Sequence, residues 1–81
     1  MTAGAPTPEE EALGRERATT LHRLLAELPP DQREAVALRY FAGLPTAAIA
    51  AIQGGSGGAA RMRLYRALAT LRARYQQEGR S

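Results

Sequence analysis

Between Ile49 and Leu68 the chain reads IAAIQGGSGGAARMRLYRAL: two stretches with helical apolar spacing, divided by a glycine-rich turn, with arginines beginning just after it. Glycine at that density continues neither helix, so the two stretches should fold as separate rods joined by a short connection. That is the layout of a helix-turn-helix whose second helix is free to read DNA.

Length sets the scale of what surrounds this unit. The 81 residues suffice for one small core, for which a bundle of three or four helices is the natural solution. The absence of cysteine excludes a disulfide framework and a thiolate metal site, and it points to a reducing cell interior. No apolar run approaches transmembrane length, and the N-terminus lacks the charged-then-apolar order of a signal peptide. The expectation is a cytoplasmic protein with no membrane partner.

Charge is unevenly distributed. Met1 to Tyr40 carry seven acids (Glu9, Glu10, Glu11, Glu16, Glu27, Asp31 and Glu34) against five arginines. From Phe41 onward Glu78 is the only acid, facing Arg61, Arg63, Arg66, Arg72, Arg74 and Arg80. The second half is therefore the candidate polyanion face. Every basic residue is arginine, whose planar fork suits phosphates and guanine edges.

The segment from Met1 to Pro8 is small, uncharged and twice interrupted by proline, and reads as a disordered lead or linker. A first helix is expected from Glu9, carrying Leu13, Leu21, Leu24, Leu25 and Leu28 to a stop at Pro29 and Pro30. Asp31 and Glu34 have the spacing of a capping box, opening a second helix with Val36, Leu38, Tyr40 and Phe41 that ends at Gly43. Thr46 is a plausible N-cap for a short third helix through Ile52. Ser56 is the best cap for a fourth, running to about Tyr75 or Gln77 before Gly79. No strand-like alternation occurs, so the fold class is all-α: a compact bundle of about four helices ending in a helix-turn-helix, without a wing. In domain terms, residues 9–77 form the unit, 1–8 lead into it and 78–81 are a tail.

At 100° per residue with Leu64 as centre, Ala60, Ala67, Leu68, Leu71 and Tyr75 fall on one stripe of the fourth helix. Met62, Tyr65, Arg66, Ala69 and Ala73 lie opposite, with Arg61 and Arg72 at one edge and Arg63 and Arg74 at the other. A helix in the major groove wants arginine for phosphate or for guanine O6 and N7, and flat side chains for thymine methyls or sugar. The same pattern fits an amphipathic helix whose arginines merely solvate its outer face. The turn in front of the helix favours DNA.

An enzyme is the poorest fit. His22 is the sole histidine, with no nucleophile or second ligand near it in sequence, and reads as a helix-surface residue. The glycine-rich turn lacks the lysine and the preceding strand of a phosphate-binding loop. No catalytic residue, metal or cofactor is expected.

The run LLAELPPDQREAVALRYFAGLPTAAIAAI from Leu24 to Ile52, followed by Gly54, Ser56, Gly58 and RMRLYRAL from Arg61, closely resembles region 4 of bacterial sigma-70 family factors. It is most similar to the extracytoplasmic-function group. The resemblance covers roughly Pro8 to Tyr75 and implies a helical domain that binds the minus-35 promoter element with its last long helix and docks on the flap of RNA polymerase. Anti-sigma factors commonly mask such domains, so one is a possible partner. Position by position, the resemblance assigns DNA contact to Arg61, Met62, Tyr65 and Arg66, and approach to the DNA backbone to Arg39. Ser56 at the turn and Arg63 at the helix edge complete the candidate set.

The chain also departs from the family's pattern. Gln53, Gly55, Gly57, Ala59 and Ala60 stand where the family usually has leucine, a second apolar residue, often an acid, threonine and valine. Ala48 replaces a common glutamate, and Met62 a small polar residue. Glycine costs a helix roughly 0.5 to 1 kcal/mol relative to alanine, so a loosened start of the fourth helix is expected. Two functions follow: promoter recognition with RNA polymerase, or a sigma-like protein-binding module with weakened DNA reading, docking through Leu38, Tyr40, Phe41 and Leu44. The domain that binds the polymerase clamp and melts the minus-10 element has no counterpart in this sequence, so a fragment or a stand-alone relic is expected.

Overall fold

The computed structural model describes residues 4–79. Four α-helices follow in order: α1 (Pro8–Ala26), α2 (Pro30–Val36), α3 (Thr46–Gln53) and α4 (Gly57–Gly79), with a π-helical turn (Ala37–Phe41) continuing α2. Among the described residues there is no strand, in agreement with the all-α expectation.

The start of α1 is set by a capping box that lies earlier than expected. Thr7 Oγ1 accepts the Glu10 N–H at 3.1 Å, and the Glu10 carboxylate accepts the Thr7 N–H at 3.4 Å. Pro8 occupies the first turn, where its missing N–H costs nothing. Thr7 and Pro8 thus belong to the helix start, whereas Met1–Ala3 lie outside the described residues. Leu24 is the only buried residue of α1. Replacing Thr7 with alanine should therefore lower the helicity seen by far-ultraviolet circular dichroism while leaving the denaturation midpoint nearly unchanged. A cap of this kind is worth about 1 kcal/mol, and here it holds a turn that contributes nothing to the core.

The next two helix starts also differ from expectation, in both cases because of proline. Pro30 takes the first helical position of α2, with Pro29 as the cap residue, so Asp31 is already inside the helix and makes no capping bond. Pro45, in extended conformation, caps α3 through its backbone: its carbonyl accepts the N–H groups of Ala48 and Ile49 at 3.0 and 3.1 Å. Thr46 is consequently helical and makes no side-chain cap. The fixed φ of proline pre-organises the helix one residue before the polar side chain that the sequence offers as cap.

Beyond α2 the wider turn closes when the Ala42 N–H donates to the Ala37 carbonyl at 3.1 Å. Gly43 at φ 73° ends the segment as predicted, and the Leu44 N–H donates to the Leu38 carbonyl at 3.0 Å. Ser56 caps α4, its Oγ accepting the Ala59 N–H at 3.0 Å, as its position suggested. The helix begins at Gly57 with both Gly57 and Gly58 in the first turn, and it continues past Gln77 to include Glu78 and Gly79.

The core comprises Leu24, Leu28, Ala35, Val36, Ile49, Ala50, Ala60, Leu64, Ala67 and Leu71, with Leu25, Leu38, Leu44, Leu68 and Tyr75 packed around it. Four of these ten buried residues are alanine, which lets α4 lie close against α2 and α3. Ile49 is the largest fully buried side chain. The stripe predicted for α4 is thus the one that is buried, with Leu68 and Tyr75 at its margin.

Candidate nucleic-acid interface

Burying the stripe of α4 turns the opposite face to solvent. Tyr65 is 67% exposed and Met62 48%, with Arg61 and Arg66 exposed beside them. These four side chains lie in the second and third turns of the helix that Ser56 caps. The α3–turn–α4 unit sets their direction: Gly54 (φ 89°) and Gly55 (φ 86°) bend the chain in conformations that other residues rarely adopt.

The two edges of the helix differ. Arg61 and Arg72 lie on the edge where no ion pair to the rest of the domain forms among the described residues. On the other edge residues of the first half meet residues of opposite charge in the second. Arg74 Nη1 donates to Glu27 Oε1 at 3.0 Å, and Glu78 binds Arg23 across the α1–α4 contact. Arg63 Nε lies 3.4 Å from Asp31 Oδ2, and Arg63 Nη1 donates to Gln53 Oε1 at 2.8 Å. The charge asymmetry of the sequence is therefore partly spent inside the fold, and among the described residues the second-half arginines left without an ion pair are Arg61, Arg66 and Arg72. These exposed ion pairs add little to stability individually.

Of the other sequence candidates, Ser56 acts as helix cap, and Arg39 Nη1 donates to the Leu44 carbonyl at 3.1 Å, tying the π turn to the start of the next loop. Arg61, Met62, Tyr65 and Arg66 are brought together on one face; Arg63 is turned to α2 and Arg39 sits on the other side of the α3 loop connection in sequence. His22 lies exposed on α1. Sequence reasoning missed Gln53 and Glu34: the Gln53 amide donates to the Asp31 carbonyl at 3.0 Å and to Glu34 Oε1 at 2.8 Å. The available signal was a polar residue ending an otherwise apolar helix.

A helix-turn-helix with an arginine and aromatic face on its second helix narrows the family, and comparison decides it. Residues 18–71, about two-thirds of the chain, match the family described as Sigma-70, region 4. The chain belongs to that family. This region 4 domain is 43% identical over 70 residues to the ECF RNA polymerase sigma factor ShbA of Streptomyces griseus subsp. griseus, an alignment covering 86% of this chain and 37% of that protein. It is 38% identical over 68 residues to the protein named Probable RNA polymerase sigma factor RfaY of Xanthomonas campestris pv. campestris, covering 84% of this chain and 17% of that protein. The name of the first relative agrees with the resemblance to the extracytoplasmic-function group. The chain thus spans little more than a third of the first relative and about a sixth of the second. No solved structure matches it. Among the described residues, no helix of this region 4 domain is long and apolar enough to cross a membrane.

Proposed function

We propose that this region 4 domain recognises the minus-35 element of a promoter, acting with RNA polymerase in transcription initiation. The observation that carries the proposal is the face of α4 on which Arg61, Met62, Tyr65 and Arg66 stand exposed after a capped, glycine-bent turn. In the major groove, arginine reads guanine bidentately or grips phosphate, and Tyr65 supplies a flat apolar surface. Membership of the family and the names of its relatives support the same reading.

Binding of short promoter duplexes measured across salt tests it. The logarithm of affinity should fall linearly with the logarithm of salt concentration, and Arg66→Ala should weaken binding about tenfold, within the roughly 1 to 3 kcal/mol expected for a base-reading arginine. Absence of salt-dependent affinity, or an Arg66→Ala variant that binds like the parent, overturns the proposal.

A second reading is favoured by a largely apolar groove of about 710 Å³ between α1, the π turn and α4, lined by Leu21, Leu25, Val36, Tyr40, Phe41, Leu68, Leu71 and Tyr75 together with Arg72 and Gln76. Phe41 and Tyr40 are 70% and 58% exposed there. Such a surface suits docking on a protein partner, either RNA polymerase or an anti-sigma factor. As a docking module alone, the domain loses polymerase binding on Phe41→Asp and shows no salt-dependent duplex affinity.

A further inference from the structure

Arg63 sits next in sequence to Met62 and one turn from Arg66, yet its guanidinium is turned away from the exposed face. Its side chain is only 20% exposed, compared with 64% for Asp31, its ionic partner. Two further groups complete the arrangement. Gln53, the last residue of α3, accepts from Arg63 through its oxygen and donates through its nitrogen to the Asp31 carbonyl and the Glu34 carboxylate. One amide thus links the first turns of α2 to the second turn of α4 at the point where α3 ends. Asp31, Gln32, Ala59, Met62, Arg63 and Arg66 line a shared cleft, so the network borders the exposed face directly. An arginine here has two possible partners, a phosphate or this clamp.

We propose that Asp31 and Gln53 withhold Arg63 from DNA, making Arg63 a positioning residue that fixes the recognition helix and making Asp31 a determinant of specificity that limits indiscriminate phosphate binding. The inference rests on the promoter-recognition reading. A phosphate contact releases counterions whatever the base sequence, so a freed Arg63 raises affinity for any duplex and thereby reduces discrimination. Held in the clamp, it adds no phosphate contact. An uncompensated Asp31 beside the exposed face repels the duplex backbone, and the ion pair removes that repulsion as well.

The test is binding of a short mixed-sequence duplex by the whole chain between about 50 and 200 mM salt. Asp31→Asn combined with Gln53→Leu removes both holds on Arg63 while leaving the core residues untouched. The double variant is expected to steepen the salt slope by about 0.9, equivalent to about 3.5-fold greater loss of affinity across that range. Adding Arg63→Gln to the double variant is expected to abolish the steepening. An unchanged slope in the double variant overturns the proposal, as does a slope that flattens by about 0.9 on Arg63→Gln in the otherwise unaltered chain, because Arg63 then already holds a phosphate. These outcomes are separate from failure of promoter recognition, in which the unaltered chain shows no salt-dependent affinity and Arg66→Ala changes nothing. A readout independent of DNA accompanies them: hydrogen exchange at the Arg63 Nε–H should be slower than at Arg61 and should speed up in the double variant. Exchange as fast as that of Arg61 in the unaltered chain overturns the clamp itself.

Discussion

Ile49→Ala is expected to lower the free energy of unfolding by about 2 to 5 kcal/mol, read from the shift of a chemical denaturation midpoint. Ile49 is wholly inaccessible to solvent and is the largest side chain so placed. Its neighbours along α3 are alanines on both sides, Ala47 and Ala48 before it and Ala50 and Ala51 after it. Truncating a side chain enclosed between packed helices leaves a cavity, whose cost adds to the lost transfer free energy of the removed carbons. Small domains have only about 5 to 15 kcal/mol in total, and the loss removes a large share of it. Because α3 packs on both α2 and α4, duplex binding should fall with it, in proportion to the folded fraction. A loss below about 1 kcal/mol contradicts the packing described.

The glycine-rich turn should respond with opposite signs at positions four residues apart. Gly54 has φ 89° and ψ 165°, a conformation essentially reserved for glycine. A Cβ there meets nothing within 4 Å, so the penalty of substitution comes from the backbone alone. Gly54→Val is expected to destabilise by about 3 kcal/mol, at the upper end of the range for such strain, because the branched Cβ suits that region least. Gly58 is helical, and its added Cβ meets only Ser56 Oγ at an ordinary 3.7 Å. Gly58→Ala is therefore expected to stabilise by about 0.5 to 1 kcal/mol by restricting the unfolded chain. Thermal unfolding of the two variants side by side checks both. Equal shifts in the same direction contradict the distinct roles assigned to the two glycines.

Much of this arrangement is legible in the residues. The apolar stripe of α4, the Ser56 cap and the stop at Gly43 follow from period, side-chain chemistry and the tolerance of glycine for positive φ, all local properties of the chain. Asp31 and Thr46 show where local reading misleads: each is a good cap by type, but a proline one residue earlier claims the helix start. Thr7 and Glu10 carry the capping spacing openly in sequence, hidden only by the prolines around them. The π turn at Ala37–Phe41 has no marker of that sort in the sequence. For the interface, the exposure of Met62, Tyr65 and Arg66 follows from the same helical period that buries Leu64. The fate of Arg63 does not, because its partners Asp31 and Gln53 lie 32 and 10 residues away and meet it only after three helices have packed.

The alanines that bring α4 against its neighbours also make the domain's tolerance of change one-sided. Ala35, Ala60 and Ala67 have no accessible surface, and nothing smaller than a methyl group can be trimmed from them except by introducing glycine into a helix. Enlargement drives helices apart, at a typical cost of about 1 to 3 kcal/mol. Drift along this seam is thus blocked in both directions, while the outward positions of the same helix, a single residue away, stay free to vary. A lineage can therefore retune what the exposed face of α4 recognises, one side chain at a time, without reopening the packing that aims it.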